Sequence, residues 1–301
     1  MDKIGLVTVT YNSANVLKPF LDCVWQQTHN KIILYVIDNL STDNSLPILL
    51  NSKQERIKII KNDLNVGVAK ANNQGIKCAL DDGCDQVLII NNDVVFESNL
   101  IESLIKVQED YFCSLVSPKI LFYNNPKNIW YAGSWFKMHR GYLPIHRGFE
   151  KKDLGAFDKI IKVDYAPTCC LLVKKQVFLD VGFMDEKYFA YFDDTDFLYR
   201  VWKSKKHILY YYPFTNFYHK VGSLTKSFGK SSTQLKGDFY LNQFIKNQIY
   251  FLKKIGSFFT LIYIVWLFFK NNLRFIFNRR IKKNFSTWIL INKSYFEGIK
   301  M

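Results

Sequence analysis

The strongest constraint on this chain lies in its first 120 residues, where β-rich runs and helical periodicities alternate without interruption. Ile4 to Thr10 is a β-rich run, after which Val16, Leu17, Phe20, Leu21, Val24 and Trp25 recur at helical spacing. Ile32 to Asp38 reads as a second strand. STDNS (41–45) then makes a turn into a helical stretch, and Arg56 to Ile60 forms a short third strand. A helix over about Val66 to Leu80, a strand Gln86 to Asn92 and a helix near Glu97 to Gln108 complete the series. The pattern predicts right-handed βαβ crossovers and an α/β fold, a mainly parallel sheet flanked by helices. Such sheets take ligands beyond the carboxyl ends of their strands, where strand order reverses. The residues just past those ends are therefore site candidates: Thr10, Tyr11 and Asn12; Asp38 and Asn39; Asn91, Asn92 and Asp93.

The turn after the first strand, TYNSAN, contains no glycine, which excludes a GxGxxG dinucleotide site, and no GxxxxGK[ST] phosphate loop occurs. Between residues 121 and 162 the pattern loosens around WYAGSWF (130–136), and an irregular excursion over the sheet is expected there. DYAPTCCLLVKK (164–175) resumes a strand. AYFDDTDFLYR (190–200) crowds Asp193, Asp194 and Asp196 among aromatic residues, ahead of a helix expected over Phe197 to about Lys203. Repulsion and desolvation both disfavour ionised carboxylates there, so a helix N-terminus, a metal or a mobile proton must compensate. EF-hand spacing is absent. A strand HILYYY, the segment FYHKVGSLTK with His219, and a helix from about Gln234 to Lys254 follow.

Composition separates two further classes. The six cysteines form no CxxC pair, which argues against structural zinc and suits reduced thiols in a cytosolic setting. MDKIGLVTVT enters a strand pattern at once, so no export signal is expected. The formal charge is +15, but residues 246–301 hold eleven Lys and Arg against one acidic residue, Glu297. That tail also contains SFFTLIYIVWLFFK (257–270), a run suited to lipid rather than to nucleic acid. The apolar stretch Ile255 to Phe269 would rise only about 22 Å as a helix, short of a roughly 30 Å hydrocarbon core. An in-plane segment on an anionic membrane surface is expected, with a core helix of the domain as the competing reading.

The order of several motifs resembles the nucleotide-sugar glycosyltransferases of glycosyltransferase family 2, particularly a bacterial polysaccharide and rhamnosyltransferase-like branch. VTVTYNSANVL, VIDNLSTDNS, NVGVAKANNQG, IINNDVVF, the YAG of WYAGSWF and VGFMDEKYFAYFDDTDFLYR fall in register with that family over about residues 4 to 250. The resemblance implies a GT-A-type fold in three parts: a nucleotide-sugar-binding half (1–120), an acceptor and catalytic half (121–233) and a helical, basic, membrane-associating C-terminal tail (234–301). It implies an inverting, metal-dependent hexosyl- or rhamnosyltransferase of cell-surface polysaccharide synthesis. The donor would be a UDP- or dTDP-sugar and the acceptor a glycan or lipid-linked saccharide, with the protein cytoplasmic and peripheral on the inner face of the membrane. Donor-binding residues would be Thr10, Tyr11, Asn12, Asp38, Asn39, Asn65, Gly67, Asn72, Asn91 and Asn92. Asp93 and His219 would hold Mg²⁺ or Mn²⁺; Asp194 would be the general base; Trp130, Asp193 and Asp196 would support the acceptor side. Asn91 replaces the first acid of the usual DxD, and Asp193 a more usual Glu. A Mg²⁺-dependent nucleotidyltransferase is the rival enzyme, but TYNSAN lacks its glycine-rich basic turn. A non-catalytic membrane or nucleic-acid binder would have no need of Asp38, Asp93 and Asp194 at strand and helix ends; nucleic acid is not an expected partner.

Overall fold

The computed structural model describes residues 2–52, 55–222, 237–277 and 285–301. The alternating half comprises β1 (Ile4–Thr10), α1 (Ala14–Trp25), β2 (Ile32–Asp38), α2 (Ser45–Asn51), β3 (Ile57–Lys61), α3 (Val68–Asp81), β4 (Gln86–Ile90), β5 (Val94–Phe96) and α4 (Leu100–Asp110). β1 pairs in parallel with β2 and β4, and β2 with β3, so the strand order 3-2-1-4 reverses between β1 and β4. Helices cover both faces, and accordingly β1 and β2 are apolar along almost their whole length.

The second half adds β6 (Leu115–Pro118), β7 (Ile120–Phe122), β8 (Asn125–Tyr131), β9 (Ile161–Val163), β10 (Cys170–Lys174), α5 (Lys175–Val181), α6 (Asp193–Ser204), β11 (Leu209–Tyr212) and β12 (Phe217–His219). Together they give an eight-stranded sheet ordered β3-β2-β1-β4-β10-β6-β11-β9, which takes strands from both sides of residue 120. Six of the eight strands share one direction, so the sheet is mainly parallel as expected, with two reversed strands. β10 runs antiparallel to both β4 and β6, and β9 antiparallel to β11, so the sheet is mixed. The chain leaves β6 at the carboxyl-end edge and returns across that same edge, which obliges the next strands to run the opposite way.

The excursion is more ordered than expected. β7 and β8 join β5 and β12 in a four-stranded sheet ordered β5-β12-β7-β8. Because β5 starts directly after Asp93 and His219 pairs with Val94, this small sheet delivers His219 to the end of β4.

Three helices complete the chain: α7 (Asp238–Ile255), α8 (Phe258–Phe277) and α9 (Phe285–Lys300). The expected helix start at Gln234 lies outside the described residues. Tyr250 and Phe251 of α7 enter the main core, while Ile245, Ile249 and Leu252 share a second cluster with Ile264 and Leu267 of α8 and Ile291 of α9. The apolar run does not begin a helix at Ile255: that residue ends α7, and Gly256 breaks the chain before α8. α8 has 20 residues, or about 30 Å, so by length and composition it reaches the thickness of a hydrocarbon core. Phe258 is 81% exposed and Phe269 59%, which is not the surrounding of a core helix.

Candidate functional site

Three strand ends meet at the reversal point. Thr10 is buried, Tyr11 is exposed, and Asn12 adopts a left-handed backbone (φ 52). The Asn12 side chain accepts from the Thr42 N–H at 2.8 Å and hydroxyl at 3.2 Å, and its own N–H donates to Ser41 Oγ at 3.0 Å. These bonds tie the end of β1 to the loop after β2. Asp38 is buried. One of its oxygens accepts from the Ser41 N–H at 3.3 Å, and Oδ1 has no hydrogen-bond partner. A buried carboxylate oxygen left open is unfavourable until a donor reaches it, and a nucleobase N–H would serve.

The other amides named for the donor build the walls of this end. Asn39 donates to Asn65 Oδ1 at 3.2 Å and to the Gly67 carbonyl at 3.3 Å, and accepts from Asn62 at 2.8 Å. Asn65 in turn accepts the Gly67 N–H at 3.0 Å. Gly67 sits at φ 83, where a Cβ would lie 2.6 Å from the Phe189 carbonyl oxygen, so only glycine fits. The next N–H, of Val68, donates to that same carbonyl at 2.7 Å. Asn72 is buried, with its amide 3.9 Å from Met184 Sδ. Its neighbour Asn73, at the true spacing of the NxGxAxxxNxG pattern, makes the stronger link: it donates to Met184 O at 2.9 Å and Glu186 at 3.0 Å and accepts from the Met184 N–H. Asn39 and Asn65 thus shape the Gly67 turn, and that turn with Asn73 fastens the first half of the chain to the segment leading into α6, while an oxygen of Asp38 stays open.

At the end of β4, Asn91 is exposed and its N–H donates to Cys169 O at 3.0 Å. Asn92 is buried and donates to Val9 O and Thr10 Oγ1, each at 3.0 Å, which locks β4 to β1. Asp93 is buried with an oxygen 3.2 Å from His219 Nε2. Burial disfavours the imidazolium, but Cys169 and the Asp93 carboxylate beside it outweigh burial and raise the His219 pKa well above its ordinary value. No group of three His, Cys, Asp or Glu side chains could hold a metal by itself among the described residues. A hard cation at this place would have to draw most of its ligands from other molecules. Asp93 would be its protein ligand, with His219 orienting that carboxylate.

The cluster DDTD is not a prelude to a helix but its first turn: α6 begins at Asp193, four residues before the expected start at Phe197. Tyr191 and Phe192 are both left-handed, at φ 66 and 70, and Phe192 is the N-cap. The three carboxylates diverge sharply. Asp196 pairs with Arg200 at 2.9 Å and with Lys254 of α7 at 2.8 Å, and Arg200 also donates to the carbonyls of Val181 and Phe183. Asp196 is thereby a bolt between α5, α6 and α7. Asp194 receives only neutral donors: the Tyr165 hydroxyl at 2.6 Å on Oδ2, and the Thr195 N–H at 2.6 Å and hydroxyl at 3.2 Å on Oδ1. Its burial outweighs these donors and raises its pKa. Asp193 is raised to about 8, first by burial and then by the charge of Asp194. Asn247 of α7 donates to the Ala190 and Tyr191 carbonyls at 2.8 and 2.9 Å and so fixes the left-handed turn that presents both.

A continuous file of side chains connects the two acidic positions. His219 meets the Trp130 ring edge-on at 4.7 Å, and Trp130 meets His146 at 4.7 Å. His146 stacks on Tyr165 at 6.1 Å, and Tyr165 bonds Asp194. Burial lowers the His146 pKa to about 4, so this ring is a neutral member of the wall. Trp130 belongs to the sequence-predicted set, whereas His146 and Tyr165 do not. The signal for Tyr165 was its place ahead of a strand; His146 stood in a stretch without periodicity and gave none.

A family model described as "Glycosyl transferase family 2" matches residues 6–182. A curated relative, the low-salt glycan biosynthesis hexosyltransferase Agl10 of Haloferax volcanii, is 25% identical over 66% of this chain and 62% of its own length. The match thus spans less than two thirds of that relative. An N-acetylglucosaminyl-diphospho-decaprenol L-rhamnosyltransferase of Mycobacterium tuberculosis is 26% identical over 65% of this chain and 69% of its own. Among solved structures, GalNAc-T7 with UDP, GalNAc and Mn²⁺ superposes with a TM-score of 0.61 at 14% identity, over 84% of this chain and 48% of that one. At that identity the likeness concerns the fold, a mixed α/β GT-A-like architecture.

Proposed function

The chain belongs to glycosyl transferase family 2, and on that premise we propose that it is an inverting transferase acting with Asp194 as general base. It moves a hexosyl or rhamnosyl group from a UDP- or dTDP-sugar to a hydroxyl of a glycan or lipid-linked saccharide. The observation that carries the reading is the unbroken file from Asp93 through His219, Trp130, His146 and Tyr165 to Asp194. The reading is supported by Asp93 and Asp194 sharing one wall, the first available to a divalent cation that would meet a diphosphate and the second to a proton. The names of the relatives, a hexosyltransferase and a rhamnosyltransferase acting on a diphospho-decaprenol, fit the same class.

In the step itself, the acceptor hydroxyl gives its proton to Asp194 while its oxygen bonds the anomeric carbon. The bond from that carbon to the diphosphate oxygen breaks on the opposite face, so configuration inverts. A raised carboxylate pKa suits this task, because a base is most effective when its pKa approaches the working pH. Tyr165 and Thr195 hold both oxygens of Asp194 in place, and Asp38 with Tyr11 engages the nucleoside. A divalent Mg²⁺ or Mn²⁺ at Asp93, when bound, supplies the charge that offsets the departing diphosphate.

A thermal-shift panel of nucleoside diphosphates, with and without Mn²⁺, first selects the donor base. Asp194→Asn is then expected to reduce nucleoside-diphosphate release from that donor by roughly 10² to 10⁴, with donor affinity and melting temperature near wild type. A near-normal rate would remove Asp194 from the mechanism.

A further inference from the structure

α8 turns one stripe inward and leaves the rest of its circumference open. Thr260 is buried, Ile264 and Leu267 are buried against α7 and α9, and Leu261, Ile262, Val265, Trp266 and Phe269 are exposed. From Phe258 to Phe269 the helix holds no charged residue, and Lys270 follows immediately. Lys253 and Lys254 close α7, and residues 246–301 carry a net +10. A wide apolar face in a segment of net positive charge suits a partner that is apolar below and anionic at its surface. A second copy of this chain would bring two strongly basic surfaces together, which repulsion disfavours.

We propose that this face of α8 docks in the plane of an anionic bilayer and thereby sets the acceptor side of the cleft against the lipid surface. The anionic leaflet that fits is the cytoplasmic one. α8 has the length to span, but its inner stripe is fastened. The Tyr295 hydroxyl of α9 donates to Ile264 O at 3.1 Å, and α7 is tied to the catalytic domain through Asn247 and Lys254. A spanning helix would have to leave those contacts; an interfacial one keeps them.

A contact links α8 to the loop around Gly141. Gly141 (φ 61) backs directly against the Tyr263 ring of α8, so a Cβ there would clash. The next residue, Tyr142, packs edge-on to Tyr199 of α6 at 5.1 Å. The loop over the acceptor side is thus held between the docking helix and the helix that carries Asp194. This geometry places hydroxyls of a lipid-anchored saccharide within the enzyme's approach, a consequence that rests on the transferase reading; the docking itself does not.

Flotation with vesicles of phosphatidylcholine, alone or mixed with phosphatidylglycerol, tests the proposal. Wild type is expected to float with the mixed vesicles, less in high salt and least with phosphatidylcholine alone. It should be released by an alkaline carbonate wash. The combined variant Leu261→Asp, Val265→Asp, Phe269→Asp should lose roughly tenfold or more of the bound fraction. Its melting temperature and its thermal shift with nucleoside diphosphate, measured alongside, establish that the catalytic domain is intact. Absence of wild-type flotation, or equal flotation of the variant, overturns the docking. Retention after carbonate overturns the in-plane geometry. A wild-type dimer by light scattering that becomes monomeric in the variant, with no vesicle binding, assigns the face to self-association instead.

Discussion

Asp93 and Asp194 lie at opposite ends of one wall and have opposite company. Asp93 faces a buried imidazole at 3.2 Å whose pKa is raised, so its neighbour favours a cation. Asp194, with Asp193 beside it, forms no ion pair with a Lys, Arg or His among the described residues; its partners are a phenol, a hydroxyl and a backbone N–H. Asp196, two residues on, is clamped by Arg200 and Lys254. The contrast shows how one acidic sequence motif divides into separate surroundings. A carboxylate beside a cation stays ionised and can bind charge, while one held by neutral donors in a desolvated place is ready to take a proton.

A large effect, comparable with that of Asp194→Asn, is expected at the charged end. Asp93→Ala should lower transfer by roughly 10³-fold, the rate equivalent of several kcal/mol of charge stabilisation, and should remove the Mn²⁺-dependent part of the nucleoside-diphosphate thermal shift. Undiminished Mn²⁺ dependence would erase the distinction between the two ends. A smaller effect is expected at the neutral end from Tyr165→Phe. The hydroxyl it removes holds the Asp194 pKa down, so turnover should fall roughly tenfold and the acidic limb of the kcat/KM profile should move to higher pH. An unmoved limb would mean that Tyr165 only fills space.

The smallest effect, and the sharpest for the comparison, concerns stability rather than rate. Asp193 has a folded pKa of about 8, above its ordinary 3.8. Its protonated form is therefore favoured by the fold, and the stability this gives is present below the ordinary value and lost as pH rises through about 8. Asp193→Asn abolishes that loss. The variant should melt a few degrees above wild type on the alkaline side, with the gap closing as pH falls into the carboxylate range. A gap independent of pH would show that burial does not tax this carboxyl.

How far the sequence disclosed this arrangement depended on strand direction. Searching just past β-rich runs located Thr10, Asp38 and Asp93, because β1, β2 and β4 run parallel and their carboxyl ends share one edge. Tyr165 escaped the search because it precedes β10, an antiparallel strand whose entry end lies on that same edge. Periodicity gives a strand's existence but not its direction, which is fixed by a return path of some fifty residues that no local pattern encodes. The crowding of Asp193, Asp194 and Asp196 was legible as a problem needing compensation. Their separate solutions were not, since, Thr195 and Arg200 aside, the partners come from residues 165 and 254, far along the chain. Likewise the apolar character of α8 was evident, but its start after Gly256 and its single buried stripe came from packing against α7 and α9.

The Asn247 clamp also bears on biosynthesis. The turn at Tyr191 and Phe192 puts two bulky residues in a left-handed backbone, a conformation that costs on the order of 1 kcal/mol or more each and persists only where neighbours enforce it. Its enforcers, Asn247 and, through Asp196, Lys254, are translated some fifty residues after the turn itself. A nascent chain that has only just released residue 204 from the ribosome already carries most of the large sheet and the whole acidic motif, yet lacks the two side chains that set the motif's geometry. The turn that presents Asp193 and Asp194 is therefore completed late in translation, with α7, as the helix that follows it is about to emerge.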